Sequence, residues 1–198
     1  MRKKLLVVLS VLVFTVMFAV PKAHADTVDF APFSAEGESG TWSWAGGSSS
    51  LFGDSGNLYI WVSSTYGSST LNGSVLSWVS GAASPGSGNV VANFGPGGSI
   101  DVSQDSSICG ASGCFSGTFT GGQILTTGYG YQFSSNFVNG TLDASLLAAL
   151  GLPTTPTEYN GVFFANLVTG TCPDGGQGLC GTFTSADLSV NPVPSRER

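Results

Sequence analysis

The sequence predicts an all-β fold, an antiparallel β-sandwich of jelly-roll-like type with one short helix near residues 143–150, and three observations carry that reading. Gly, Ser, Thr and Asn punctuate the chain at short intervals, with 29 glycines among 198 residues, so the stretches between turns are strand-sized. Several of these stretches alternate apolar and polar residues, the period of two that a half-buried strand shows. Only one segment of the 26–190 region carries the start, period and stop signals of a helix.

The elements follow in chain order. Met1 to Lys4 is basic, Leu5 to Val20 is apolar, and Pro21-Lys22-Ala23-His24-Ala25 ends in a small-x-small site, so residues 1–25 read as a signal peptide cleaved after Ala25. The alternative is an uncleaved anchor, since the apolar run approaches the ~20 residues of a spanning helix. Residues 26–190 read as a single domain, large enough to bury its own core. Within it, Asn57 to Ser64, Ser74 to Val79, Asn89 to Phe94 and Ser99 to Ser103 read as strands, followed by Cys114 to Thr120, Gly128 to Val138, Gly161 to Val168 and Gly181 to Val190. In Ser99 to Ser103 the alternation turns Ile100 and Val102 inward. Asp143 followed by Ala-Ser-Leu-Leu-Ala-Ala-Leu-Gly151 supplies an N-cap carboxylate, strong helix formers and a terminating glycine, with Pro153 just beyond. That predicts about two helical turns whose Leu146, Leu147 and Leu150 cover an open end or edge of the sheet. Residues 191–198 read as a disordered basic tail. No stretch after Asp26 is long and apolar enough to span a bilayer.

Four cysteines, Cys109, Cys114, Cys172 and Cys180, fit an exported, oxidised protein located outside the cell, on its outer surface or in the periplasm. Three pairings exist in principle. The short spacing within each pair favours two local loops, Cys109 with Cys114 and Cys172 with Cys180. A zinc site needs thiolates at ligand spacing, usually C-x2-C, which neither pair has.

From Asp26 to Ser195 there is no Lys, Arg or His; beyond the signal segment only Arg196 and Arg198 oppose twelve acidic residues. This removes imidazole-based nucleophilic catalysis, histidine metal sites, Schiff-base lysines and cationic phosphate clamps. Nucleic acid is a poor partner for the same reason, because its affinity rests on cations that displace phosphate counterions. No catalytic residue is assigned, and the chain reads as non-enzymatic. Carboxylates alone keep a glycoside hydrolase as a minor alternative, since that chemistry needs two of them at a set distance. No cofactor is assigned and the scattered carboxylates read as solvated charges; calcium is the alternative, with Asp101 and Asp105 as weak candidate ligands.

Aromatic side chains carry the binding hypothesis. Trp42 and Trp44 share one strand parity and therefore one face, as do Tyr59 and Trp61, while Leu58, Ile60 and Val62 take the opposite face of their strand. Exposed rings on a rigid sheet stack on sugar faces, whereas buried rings are ordinary core. Tyr59, Trp61, Trp42 and Trp44 are thus candidate glycan-binding residues, and exposure of a pair together is what separates the two readings.

The arrangement resembles the PEP-CTERM proteins, exported substrates of the exosortase system in Gram-negative bacteria with exopolysaccharide-rich envelopes. The likeness lies in the signal segment, the weakly charged Gly/Ser/Thr/Asn-rich β-domain and the stretch Thr141-Leu-Asp-Ala-Ser-Leu-Leu-Ala-Ala-Leu-Gly-Leu-Pro153. At the end, Val193-Pro194 resembles the start of the family's Val-Pro-Glu-Pro motif and Arg196-Glu-Arg198 its basic tail. The Glu-Pro and the apolar helix of that family are missing from it. The resemblance implies export and a surface or matrix setting associated with exopolysaccharide, and it implies no catalytic residues.

Overall fold

The computed structural model describes residues 26–33, 40–56, 58–103, 107–110, 113–155, 157–172 and 178–193. The signal segment with Ala25, the calcium candidate Asp105, the Leu58 side chain and the tail from residue 194 lie outside the described residues.

Four short strands come first: β1 (Val28–Phe33), β2 (Gly40–Trp44), β3 (Leu51–Asp54) and β4 (Leu58–Ser63). A meander follows. β5 (Ser68–Ser80) and β6 (Ala83–Pro85) turn into β7 (Val90–Phe94) and β8 (Gly98–Ser103). β9 (Phe115–Phe119) and β10 (Gly122–Thr127) turn into β11 (Gly130–Ser135) and β12 (Val138–Leu142), and the chain finishes with β13 (Glu158–Thr169) and β14 (Leu179–Pro192). β9 with β12 and β10 with β11 keep one register from Phe115↔Leu142 to Thr127↔Gly130. Across the interruption, Thr120 N donates to Phe137 O (2.9 Å) and Asn136 N to Gly121 O (2.8 Å), so residues 115–142 are one long two-stranded ribbon. The expected strand over 128–138 is accordingly two strands, because Gly128-Tyr129 is the tip of that ribbon and Asn136-Phe137 its interruption.

Three long strands make the sheet close on itself. β14 pairs with β13 at eleven positions along one edge, while its other edge is shared end to end by β2 and β1. β5 is shared in the same way by β4 and β3. Because β1 pairs with β4 and β2 with β3, hydrogen bonding runs in a closed circuit through β14, β1, β4, β5, β8, β9, β12 and β13. Closure leaves those strands no free edge. β6, at the margin of the flap formed with β7, β10 and β11, is short, carries Pro85, and has Ala83 N bonded to Ser48 O (3.3 Å). The architecture is the all-β sandwich that the sequence predicts; within it the strands form a closed antiparallel circuit in which most neighbours are not consecutive in the chain.

Alternation decides which side chains fill the interior. β2 and β3 place every second residue inside, and in β8 Ile100 and Val102 are buried as expected. Aromatic rings from strands that are not neighbours meet there. Trp78 of β5 packs on Phe163 of β13 and Phe183 of β14, with ring centroids 5.1 and 4.8 Å away. Phe30 of β1 meets Phe115 of β9 at 6.0 Å. Such tilted and edge-on pairs contribute about 0.5–1.5 kcal/mol each beyond the area they bury.

The helix, α1 (Ala144–Ala149), lies where expected and is capped by Asp143, whose Oδ1 accepts from Ser145 N (2.8 Å) and Leu146 N (3.3 Å). Gly151 follows at φ 73°, a left-handed position that favours glycine. Leu146, Leu147 and Leu150 are fully buried. Leu150 O accepts from Ser64 Oγ (3.1 Å), and Asp143 N donates to Cys114 O (3.0 Å). The helix therefore ties the β4–β5 turn to the start of β9 and covers one end of the sandwich. Asp143→Ala is expected to lower stability by about 1 kcal/mol, read as a lower urea midpoint at unchanged slope.

The disulfides are Cys109–Cys114 and Cys172–Cys180, the two local pairs. They fit an oxidising, extracytoplasmic environment. One boundary moves. Asn191 and Pro192, expected in the tail, belong to β14: Asn191 pairs with Asn160, and Thr27 Oγ1 donates to Asn191 Oδ1 at 2.6 Å.

Candidate functional site

The four aromatic candidates separate into two fates. Trp42 is buried, 2% exposed; its Nε1 donates to Val168 O (3.0 Å) and its ring stands edge-on to Tyr131 at 6.2 Å. Trp44 is half-buried, donating Nε1 to Ser49 O (3.1 Å) and meeting Phe94 edge-on. The expectation of a Trp42/Trp44 platform is therefore corrected: the two do share a face, but it is the inner one. Trp42 pairs with Gly53 of β3 on one side and Gly181 of β14 on the other.

Tyr59 and Trp61 behave in the opposite way. Both stand on the outer face of β4, 47% and 44% exposed, while Ile60 and Val62 are buried on the other face. Exposed polar and half-buried groups flank them. Trp61 pairs with Thr70 of β5 on one side and Ala31 of β1 on the other, and Ser63 pairs with Ser68 and Asp29. Asp29 in turn pairs with Ser189 of β14, and Asp187 lies two residues along on the same face. The Trp61 end of the pair is thus bordered by hydroxyls on the β5 side and by two carboxylates on the β1–β14 side, while Tyr59 pairs with Phe33 of β1. Asp29 and Asp187 were not singled out from the sequence. They lie 158 positions apart in the chain, and only the β1–β14 pairing brings them together.

Burial raises the Asp187 carboxyl above its ordinary value of 3.8, and the negative charge of Asp29 pushes it further the same way. A carboxyl raised by folding binds its proton more tightly in the folded state, so its contribution favours the fold below the unfolded value and is lost as pH rises through the raised one. Wild-type stability should therefore drop over that window, just above pH 3.8, by an amount that Asp187→Asn removes. Parallel urea titrations at closely spaced pH values check this; identical pH profiles for the two proteins would contradict it.

The remaining candidates are placed apart from this site. Asp101 sits on β8 between Ser77 of β5 and Ser116 of β9. Among the described residues, no group of three or more His, Cys, Asp or Glu side chains is placed to hold a metal ion. Among the same residues, no helix is long and apolar enough to cross a membrane. No protein-family model, curated protein or solved structure matches the chain.

Chemically, the β4 face offers two π surfaces with hydroxyl donors and acceptors on one flank and carboxylate acceptors on the other. Aromatic faces take the C–H side of a sugar ring, and the flanking oxygens accept from its hydroxyls. With no Lys, Arg or His between Asp26 and Ser195, the described residues of the site carry no cationic side chain to neutralise an anionic ligand.

Proposed function

We propose that this is an exported, non-enzymatic domain of a cell-surface or extracellular matrix that binds neutral polysaccharide, with Tyr59 and Trp61 as its stacking platform. The observation that carries this reading is the joint exposure of these two rings on one strand, while Trp42 and Trp78 are buried in the core. Large aromatics are normally spent on core packing, so a pair held outward on a rigid strand fits a ligand surface. Asp29 and Asp187 accept hydroxyl hydrogen bonds in this reading and bias the site against acidic glycans. The two disulfides and the resemblance to exopolysaccharide-associated exported proteins support the same setting.

Affinity electrophoresis of residues 26–198 through gels containing soluble neutral or acidic polysaccharides, with and without calcium, tests it. Wild type is expected to be retarded by at least one neutral glycan, independently of calcium, and Trp61→Ala to lose at least about tenfold in affinity, the equivalent of ~1.4 kcal/mol. Retardation by acidic glycans alone, or equal retardation of the Trp61→Ala variant, overturns the reading.

A further inference from the structure

A second surface on the same layer has the shape and chemistry of a ligand site. A groove of about 650 Å³ crosses β14, β2, β3, β5 and the start of β8, a volume within the range of ligand clefts. Register explains its floor. One row across the strands is Thr41, Asp54 and Ser77, continued by Asp101 of β8 just outside the lining; the next is Ser43, Phe52, Val79 and Ser99. Phe52 is 54% exposed in the middle of it. Gly53, between Phe52 and Asp54, has to be glycine, because the Trp78 ring lies beneath it and a Cβ there would come within 2.0 Å of that ring. The groove thus combines one exposed ring with hydroxyls and a single carboxylate, again without a cation.

β5 joins the two surfaces. Trp61 is held against Thr70 at its beginning and Phe52 against Val79 at its end. Nine residues separate those partners, at most about 30 Å at ~3.3 Å per residue, since the strand is kinked at Gly73 (φ 65°). Resting on the reading of Tyr59 and Trp61 as a glycan platform, we propose that the Phe52 groove is a second subsite for the same neutral polysaccharide and that one polymer chain occupies both. Two weak contacts on one polymer act at high effective concentration, so the long chain binds far more tightly than a fragment that reaches only one subsite. A second and separate ligand would show no such dependence on length.

The test compares a neutral polysaccharide that retards the wild type with a trisaccharide of the same glycan, too short to bridge the two surfaces. Phe52→Ala removes an exposed side chain, and Thr41→Trp fills the groove from an exposed position; thermal melts confirm that both variants fold. Each is expected to lose at least tenfold in polymer affinity while leaving the trisaccharide-induced shift of the Trp61 indole N–H signal as in the wild type. If both variants bind polymer like the wild type while Trp61→Ala does not, the groove is no subsite and the platform reading stands alone. If either variant abolishes the Trp61 shift with trisaccharide, the sites are not independent and the proposal fails. If the wild type binds no neutral glycan, both readings fall together.

Discussion

Replacing Gly161 with alanine is expected to leave little or no stably folded protein. Gly161 lies on β13 between Val138 of β12 and Val190 of β14, and a Cβ there would fall 1.9 Å from Ser189 O and 2.7 Å from Val190 Cα. Both are main-chain atoms of the longest pairing in the sheet, so no rotamer change relieves the clash, and β14 has to move away from β13. Ordinary overpacking costs about 1–3 kcal/mol because flexible side chains give way. A backbone collision should exceed that, against a total stability of about 5–15 kcal/mol for a domain. Gly128→Ala is the control: nothing lies within 4 Å of its Cβ position, and stability should stay within about 0.5 kcal/mol of the wild type. Far-UV circular dichroism and urea unfolding of the two variants check the contrast. A Gly161→Ala protein with wild-type stability would show that β13 and β14 are not in this register.

Trp78→Ala should be the most damaging side-chain truncation in the core, at about 3–5 kcal/mol. The ring fills the space between Phe163 and Phe183 and lies over Gly53, so its removal leaves a cavity where the two layers meet. Trp78→Phe should be much milder. The buried indole Nε1 of Trp78 has no hydrogen-bond partner among the described residues, and its loss relieves a desolvated donor while most of the packing is kept. Trp42→Phe, by contrast, breaks the bond to Val168 O and should cost more than Trp78→Phe. Urea midpoints of the three variants give the order directly. Equal destabilisation by Trp78→Phe and Trp78→Ala would contradict this packing.

What the sequence made legible follows from how local the signal is. The alternation of Ile100 and Val102 sits within β8 itself, the cap and stop of α1 lie within a few residues of each other, and the cysteine pairs are short loops. Each was readable without a partner. β1, β2 and β3 were not, because their stability comes from strands far away in the chain, as when Val28 pairs with Val190 and Thr41 with Thr182. For the site, parity showed that Tyr59 and Trp61 share a face and that Trp42 and Trp44 share another. It could not show which face is inner. For β2 the answer depends on partners elsewhere in the fold: the Trp42 indole bonds Val168 O of β13 and its ring meets Tyr131 of β11. The carboxylate flank of the platform was hidden for the same reason, since Asp29 and Asp187 meet only through closure of the sheet.

The central claim is that Trp61 meets the glycan. The chain has four tryptophans, so an indole N–H spectrum of the labelled protein holds four signals that single substitutions assign. On addition of a neutral polysaccharide that retards the protein in gels, the Trp61 signal is expected to shift or broaden in step with binding. A Trp61 signal that stays fixed while the polysaccharide is bound would contradict the account.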